Sequence, residues 1–163
     1  MKKIILDTSI CIDLYNGKLL KAVLLLRHEF VLPDVIIAEL IEPAGELLIT
    51  LGYKEKGTSG EDTKNIFALR NKYAGPSTND LFALLLAKRS SCPLITGDHA
   101  LRNAAKQEDV VADGLLWLID AIVDSKIITG TQAADALESI ITAGSWLPKK
   151  ECGERIKKWR RSC

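Results

Sequence analysis

The sequence predicts an α/β fold, a three-layer α/β/α sandwich with a mostly parallel central sheet. Short apolar segments suited to buried strands alternate with longer segments suited to helices, and this alternation runs through most of the chain. The chain has 163 residues, of which 47% are hydrophobic, and this is enough to form the core of one domain. We therefore expect a single domain over residues 1–163.

Strand and helix signals alternate through the first half of the chain. Residues 3–6 are apolar and lead into Asp7-Thr8-Ser9, whose side-chain oxygens suit a helix N-cap. Pro33 and Pro43 bracket a short helix, because proline is tolerated at the start of a helix and disrupts its interior. The predicted elements are a strand at 3–6 and a helix after it, a strand at 29–32, a helix from 33 through 39, turns or a short edge strand within 47–60, and helices at 62–73 and 77–88.

The second half repeats the alternation and then becomes helical. A buried-type strand at 93–96 leads into the turn at Gly97-Asp98. A helix through residue 105, a strand at 110–112 and helices at 114–124, 131–143 and 150–161 are predicted to follow. The last two helices are expected to pack around the outside, so residues 131–163 form a helical, basic C-terminal extension.

The C-terminal segment, residues 149–163, is basic although the formal net charge of the chain is only +1. It holds seven Lys and Arg residues against two Glu residues, which leaves the rest of the chain net acidic. A basic segment on an acidic body favours a polyanionic partner. A solvated terminal helix explains the same charges, and the sequence leaves both interpretations open.

The sequence favours a reducing compartment. Its four cysteines are scattered without a Cys-X-X-Cys pair, and a domain of this length does not need disulfides. Asp7 interrupts the apolar run that begins the chain, and the later run at 115–123 contains Asp120 and is too short to cross a bilayer. We therefore expect a cytoplasmic protein without a membrane anchor.

Glu39 is the acidic residue whose neighbours most strongly suggest a function. The residues around it, 35–41, are apolar on nearly every face of a helix, so we expect Glu39 to be partly buried. A partly buried carboxylate must find a partner, shift its pKa or bind a cation. The competing structural explanation is a narrow polar gap beside Asp34 and Glu42.

Three aspartates occupy positions that a ligand site would use. Asp7 and Asp98 each follow an apolar strand, and ligands of open α/β sheets bind beyond the carboxyl ends of the strands. Asp80 opens an apolar helix, where with Ser77 it also fits a relaxed capping box. Helix capping or turn chemistry explains an aspartate at each of these positions. The conjunction of these three acids with Glu39 in one domain favours a shared site.

Converging carboxylates repel one another unless a cation lies between them. An all-oxygen site favours Mg²⁺ or Mn²⁺, which accept oxygen ligands and keep water molecules for chemistry. His28 and His99 are isolated in the sequence, which argues against a zinc site. Such a pocket suits phosphodiester hydrolysis, because the ion lowers the pKa of a bound water and stabilises charge on the leaving oxygen.

Four segments together resemble the PIN-domain ribonucleases, including the VapC-like toxins of toxin–antitoxin modules. These segments are Ile4-Ile5-Leu6-Asp7-Thr8-Ser9, residues 33–40 around Glu39, Thr78-Asn79-Asp80 with its apolar helix, and Leu94-Ile95-Thr96-Gly97-Asp98. The resemblance covers most of the chain up to about residue 112. It implies a PIN-like sandwich, Mg²⁺ or Mn²⁺ as the cofactor, endonucleolytic cleavage of RNA, and a homodimer with an antitoxin protein as partner.

The resemblance also implies roles for individual residues. The family's acidic quartet corresponds to Asp7, Glu39, Asp80 and Asp98, and the hydroxyls that support it correspond to Thr8, Ser9 and Thr96. We expect Asp7 and Asp80 to be the core metal ligands and Asp98 to complete the shell. Glu39 is expected to bind the ion or to orient the attacking water.

Two features differ from the usual toxin form. Asp98 is followed by His99-Ala100-Leu101, whereas toxins often carry an aromatic residue three positions on, and the extension 131–163 exceeds what a minimal toxin needs. These differences leave the nuclease chemistry unaffected and the toxin role open. Arg102, four residues after Asp98, is expected to contact RNA near the mouth of the site.

Other functional classes fit the residues less well. Haloacid-dehalogenase-like phosphatases use an Asp-X-Asp motif after the first strand, but Thr8 and Ser9 follow Asp7. A receiver domain would carry paired acids at that strand end, where Leu6 precedes Asp7 instead. The non-enzyme alternative is a catalytically inactive PIN-like scaffold that binds RNA or protein, and an intact acidic quartet argues against it.

Overall fold

The computed structural model describes residues 1–161, so Ser162 and Cys163, the end of the predicted basic segment, lie outside the described residues. A five-stranded, all-parallel sheet is flanked by helices, which confirms the predicted α/β sandwich. The strands are β1 (Lys2–Leu6), β2 (His28–Pro33), β3 (Lys54–Lys56), β4 (Leu94–Ile95) and β5 (Ala112–Asp113). Their order across the sheet is β3-β2-β1-β4-β5.

The chain reverses its direction of travel across the sheet between β1 and β4. After β1 it adds β2 and β3 on one side, and it then returns to add β4 and β5 on the other side. Leu6 pairs with Ile95, so β1 and β4 end side by side. The residues after these two strands therefore meet at the carboxyl edge of the sheet, at the switch point where α/β proteins bind ligands.

The predicted helices are present in their predicted order, and most of their boundaries agree to within a few residues, but the short helix at Leu20–Leu24 was not predicted. They are α1 (Thr8–Asn16), α2 (Leu20–Leu24), α3 (Asp34–Glu39), α4 (Gly45–Leu51), α5 (Gly60–Lys72), α6 (Thr78–Ser90), α7 (His99–Gln107), α8 (Leu115–Asp124), α9 (Gly130–Thr142) and α10 (Lys149–Arg161). None of the helices within residues 1–161 has the length and apolar character needed to span a bilayer.

The passage 47–60 contains more regular structure than its glycines suggest. The short edge strand β3 is present, but α4 precedes it and was not predicted. Gly45 begins α4 in very close contact with α3, because a Cβ at this position would lie only 2.1 Å from the carbonyl oxygen of Ile37. This glycine therefore marks a close approach of two helices rather than a turn.

The last strand lies later than predicted because the end of α7 uses the preceding residues. The Val110 amide donates to the Ala105 carbonyl at 2.9 Å, and Asp109 adopts a positive φ of 58°. This is the six-to-one closure of a helix C-terminus with a left-handed residue. Val110 therefore belongs to a helix cap, and β5 begins two residues later.

Helix α10 packs on the body of the protein rather than projecting from it. Trp159 is only 3% exposed, and Arg155 makes a two-pronged ion pair with Asp120 of α8 at 2.7–3.0 Å. Arg160 pairs with two acids of α9, Asp135 and Glu138. Several charges of the basic segment are thus engaged in holding the last helix in place.

Candidate active site

Asp7 lies at the carboxyl end of β1 and is fully buried. It is the N-cap of α1, and its Oδ1 accepts hydrogen bonds from the Ile10 amide at 3.0 Å and the Ser9 hydroxyl at 2.8 Å. Burial raises the pKa of Asp7 to about 7 although hydrogen bonds oppose the shift, and the charge of Asp80 adds to it. Helix capping alone does not require that the carboxylate be buried and also repelled by a second acid.

Thr96 connects the ends of β1 and β4 through one buried hydroxyl. Its Oγ1 donates a hydrogen bond to Oδ2 of Asp7 and accepts one from the Asp98 amide at 3.0 Å. A hydroxyl can do both at once because it has one proton and two lone pairs. Thr96 and Ser9, the predicted supporting hydroxyls, therefore both contact Asp7, and Thr96 also fixes the backbone that carries Asp98.

Asp98 caps the helix that follows it. Its Oδ1 accepts hydrogen bonds from the amides of Ala100 at 2.8 Å and Leu101 at 3.3 Å. The capping explanation considered for this residue is therefore correct for one of its oxygens. The second oxygen, Oδ2, has no hydrogen-bond donor within the described part of the chain and remains available to a ligand.

Asp80 interacts electrostatically with all three other acids of the predicted quartet. Burial raises the pKa of Asp80, hydrogen bonds with Ser77 lower it, and the negative charges of Asp98 and Glu39 raise it further. Asp80 in turn contributes to the raised pKa of Asp7. The fold thus brings Asp80 into the electrostatic field of residues that are up to 73 positions away in the chain.

Glu39 is exposed, so the expectation that it is partly buried was wrong. Helix α3 ends at Glu39, and the apolar Leu40 turns inward while Glu39 stays at the open end of the helix. The carboxylate is nevertheless held over the site, because its Oε2 accepts hydrogen bonds from the Thr8 hydroxyl at 3.2 Å and from Nδ2 of Asn79 at 2.8 Å.

Asn79 is the site residue that sequence reasoning missed. It lies directly before Asp80 at the start of α6 and joins this helix to Glu39 at the end of α3. Its place in the Thr78-Asn79-Asp80 segment was the available signal. The Thr8 hydroxyl contacts Glu39 and not Asp7, and its supporting role stays a prediction.

The oxygen donors fit a hard divalent cation by their chemistry. One oxygen each of Asp7, Asp98 and Glu39 accepts two hydrogen bonds, whereas the opposite oxygen accepts one or none from the described residues. A carboxylate offers about four lone-pair positions, so each of the three acids keeps capacity for a further ligand. Among residues 1–161, however, no three Asp, Glu, His or Cys side chains converge closely enough to form a ready metal site.

Arg102 lies close to the site but is partly occupied by the protein itself. Its Nη2 donates to the Thr96 carbonyl at 2.9 Å, and its guanidinium lies against Gly114, where a Cβ would come within 2.5 Å of Nη2. The Nε group is buried without a hydrogen-bond partner in the described structure. Arg102 thus braces the end of β4, and the predicted contact with RNA stays a prediction.

Comparisons with known proteins agree with this fold. A solved PilT N-terminus domain protein from the hyperthermophilic archaeon Sulfolobus solfataricus is similar, with a TM-score of 0.53 and 15% identity over 75% of this chain and 94% of that chain. At this identity the likeness shows the fold alone. No curated protein matches the sequence with significance.

The family comparison covers nearly the whole described chain. The model of the DUF3368 family, a PIN-domain family, matches residues 3–161 and so includes the C-terminal helices. PIN domains are generally nucleases and usually bind divalent metal ions. The all-parallel sheet, the acids at its switch point and this match lead to one conclusion: the chain belongs to the DUF3368 family of PIN domains.

Proposed function

We propose that this protein is a metal-dependent endoribonuclease that hydrolyses phosphodiester bonds in RNA with Mg²⁺ or Mn²⁺. The observation that carries the proposal is that Asp7 and Asp98 follow paired strands at the switch point of the sheet and are joined there by the Thr96 hydroxyl. Asp80 acts electrostatically on the same site. Membership in a family whose members are generally nucleases supports it.

Each carboxylate has a role that follows from its environment. Asp7 and Asp80 would be the core metal ligands, because both are largely withdrawn from water and their raised pKa values show that negative charge is costly there. Asp98 would complete the shell through the oxygen that does not cap α7. A bound divalent ion would supply an activated water and stabilise the leaving oxygen.

The remaining polar residues position these acids. Thr96 holds Asp7 and the Asp98 backbone together, and Asn79 and Thr8 hold Glu39 by one oxygen. The other oxygen of Glu39 is then free to bind the ion or to orient the attacking water. Because Glu39 is exposed, its side chain lies where an incoming substrate would meet it.

A cleavage assay tests the proposal. Purified protein should cut single-stranded RNA only when Mg²⁺ or Mn²⁺ is added, and Asp7→Asn and Asp80→Asn should abolish cleavage while the chain stays folded. Asp124→Asn is a matched control, because it removes one carboxylate at the exposed end of α8 and should leave the rate unchanged. Undiminished cleavage by both site variants at saturating Mg²⁺ would refute the assignment. Metal-dependent RNA binding without cleavage by the wild type would favour the inactive scaffold.

The proposal extends to a cytoplasmic homodimer whose activity an antitoxin protein restrains. This part rests on the resemblance to VapC-like toxins. Its test is genetic: expression should arrest growth, and co-expression of a short DNA-binding protein with a helical tail, encoded by the neighbouring reading frame, should restore growth. Normal growth without such a partner would assign the nuclease to RNA processing instead.

A further inference from the structure

A cleft begins directly beside Asp98 and is lined by two tryptophans. It consists of a cavity of about 240 Å³ that contacts Gly97, Arg102, Trp117 and Trp146, and an adjoining cavity of about 710 Å³ on the other side of Trp146. His99, the residue after Asp98, contributes to both cavities. We call it the indole cleft, defined by His99, Trp117 and Trp146. The four acids of the candidate site do not line it, but Gly97 and His99, the chain neighbours of Asp98, do.

Trp146 is presented to solvent by a fixed loop. Its side chain is 92% exposed, the highest value among the large hydrophobic residues of the described chain, ahead of Met1 at 90% and Ile41 at 88%. The flanking residues are anchored, because the Ser145 amide donates to the Ile140 carbonyl at 3.3 Å and Leu147 packs against the core. An indole held out in water on an anchored loop contributes nothing to the core, and its exposure costs free energy that a ligand would recover.

The charges in the cleft distinguish between possible occupants. Lys149 and Arg102 line it, and Arg155 at its edge is paired with Asp120. Glu151 is the acid that also lines both cavities. Protein–protein interface centres are depleted in lysine, whereas exposed aromatic rings beside cations are the usual means of holding unpaired bases and their phosphates.

We propose that the indole cleft binds one unpaired nucleobase of a single-stranded RNA, next to the phosphate held at the acidic site, with Trp146 as the stacking surface. The inference rests on the proposed nuclease function and adds to it a binding site for one base of the single-stranded substrate. Lys149 contacts the phosphate that flanks this base. Trp146 binds substrate without taking part in bond breaking.

The test measures RNA affinity apart from activity. A fluorescently labelled single-stranded RNA is titrated, in Mg²⁺, with protein that carries Asp80→Asn to block cleavage. Adding Trp146→Ala should weaken binding roughly 5- to 150-fold, the range found for loss of one base–aromatic stack. Trp146→Phe should retain most of the affinity. Phe67→Ala, which removes a 67% exposed aromatic from α5 outside the cleft, is the matched control and should bind normally.

A modified RNA makes the test specific for stacking. One abasic nucleotide is placed in turn at each position of the RNA, and at one position it should weaken binding as much as Trp146→Ala does. Combining that RNA with the variant should cause no further loss, because both changes remove the same contact. Double-stranded RNA of the same sequence should bind the variant and the parent protein equally.

Three other results would overturn the inference, and each has a different consequence for the proposed function. In the Asp80→Asn background, Trp146→Ala could leave the affinity for single-stranded RNA unchanged, while the single variant Trp146→Ala cleaves RNA with metal at the normal rate. This result would show that the cleft is not part of the substrate site and would leave the proposed nuclease function intact. Conversion of a dimer into a monomer by Trp146→Ala in sedimentation would assign the cleft to contact between copies. Absence of both RNA binding and cleavage in the wild type would end the proposed function and this inference together.

Discussion

Asp7→Asn should stabilise the metal-free protein at alkaline pH, although it removes a residue from the site. The folded protein raises the pKa of Asp7 from 3.8 to about 7, chiefly because the carboxyl group is completely buried. Between these two values the folded state holds a proton that the unfolded state has lost. The free energy of unfolding therefore falls as the pH rises from about 4 to about 7, and it levels off above that.

The shift of about three pKa units corresponds to roughly 4 kcal/mol, at about 1.36 kcal/mol per unit. An asparagine amide carries no charge, so Asp7→Asn removes this cost at high pH. Its carbonyl oxygen can still accept from Ser9 and Ile10, and its amide can donate to the Thr96 hydroxyl. The variant should match the wild type near pH 4 and exceed its stability by up to roughly 4 kcal/mol at pH 8.

Urea unfolding in EDTA at pH 4, 6 and 8 measures this difference. Other titrating groups, including Asp13, whose pKa is raised to about 6, are present in both proteins and cancel in the comparison. Asp124→Asn should show no growing difference from the wild type. Added Mg²⁺ should stabilise the wild type more than Asp7→Asn. A stability difference that is the same at pH 4 and pH 8 would refute the reasoning.

Three further stability predictions follow from the contacts. Thr96→Val should cost about 2–4 kcal/mol in urea unfolding, because it leaves Oδ2 of Asp7 and the Asp98 amide without their hydrogen-bond partner. Thr96→Ser keeps the hydroxyl and should cost about 1 kcal/mol, and equal losses in the two variants would contradict the role of the hydroxyl. Hydrogen bonds from Lys72, Lys88 and Tyr73 lower the pKa of Glu108 to about 2. Ionised Glu108 should therefore stabilise the folded state above about pH 4.5, and this stabilisation should be lost as the pH falls toward 2. Glu108→Gln should flatten this acid limb in thermal unfolding, and an unchanged limb would count against the assignment. Trp159→Ala should lower the free energy of unfolding by about 3–5 kcal/mol, because it removes a buried ring between α10 and the body. Urea unfolding measures this loss, and a loss below about 1 kcal/mol would show that α10 is not firmly packed.

The positions of the two strand-end acids could be predicted from sequence, because they depend only on residues that are neighbours in the chain. An apolar strand followed by aspartate gives both the element and the edge at which the carboxylate lies, and this holds for Asp7 and Asp98. The exposure of Glu39 could not be predicted in this way. It depends on where α3 ends, and the packing of Gly45 against Ile37 decides how the chain leaves that helix.

Contacts between distant parts of the chain were also beyond sequence reasoning. The bond from Asn79 to Glu39 spans 40 residues, and the cleft that joins His99 to Trp146 spans 47. Arg102 was placed near the site by its spacing from Asp98. Its bond to the Thr96 carbonyl depends on the space that Gly114 leaves open, which no local pattern indicates.

The central claim is that one cation site joins the acids of the sheet edge, and anomalous diffraction from crystals soaked in Mn²⁺ tests it most directly. The account predicts an anomalous peak with oxygens of Asp7, Asp80 and Asp98 within coordination distance, roughly 2.0–2.6 Å, after small side-chain rotations. It also predicts that the peak disappears in Asp80→Asn crystals. A peak elsewhere on the molecule, or no peak in a wild-type crystal that cleaves RNA, would contradict it.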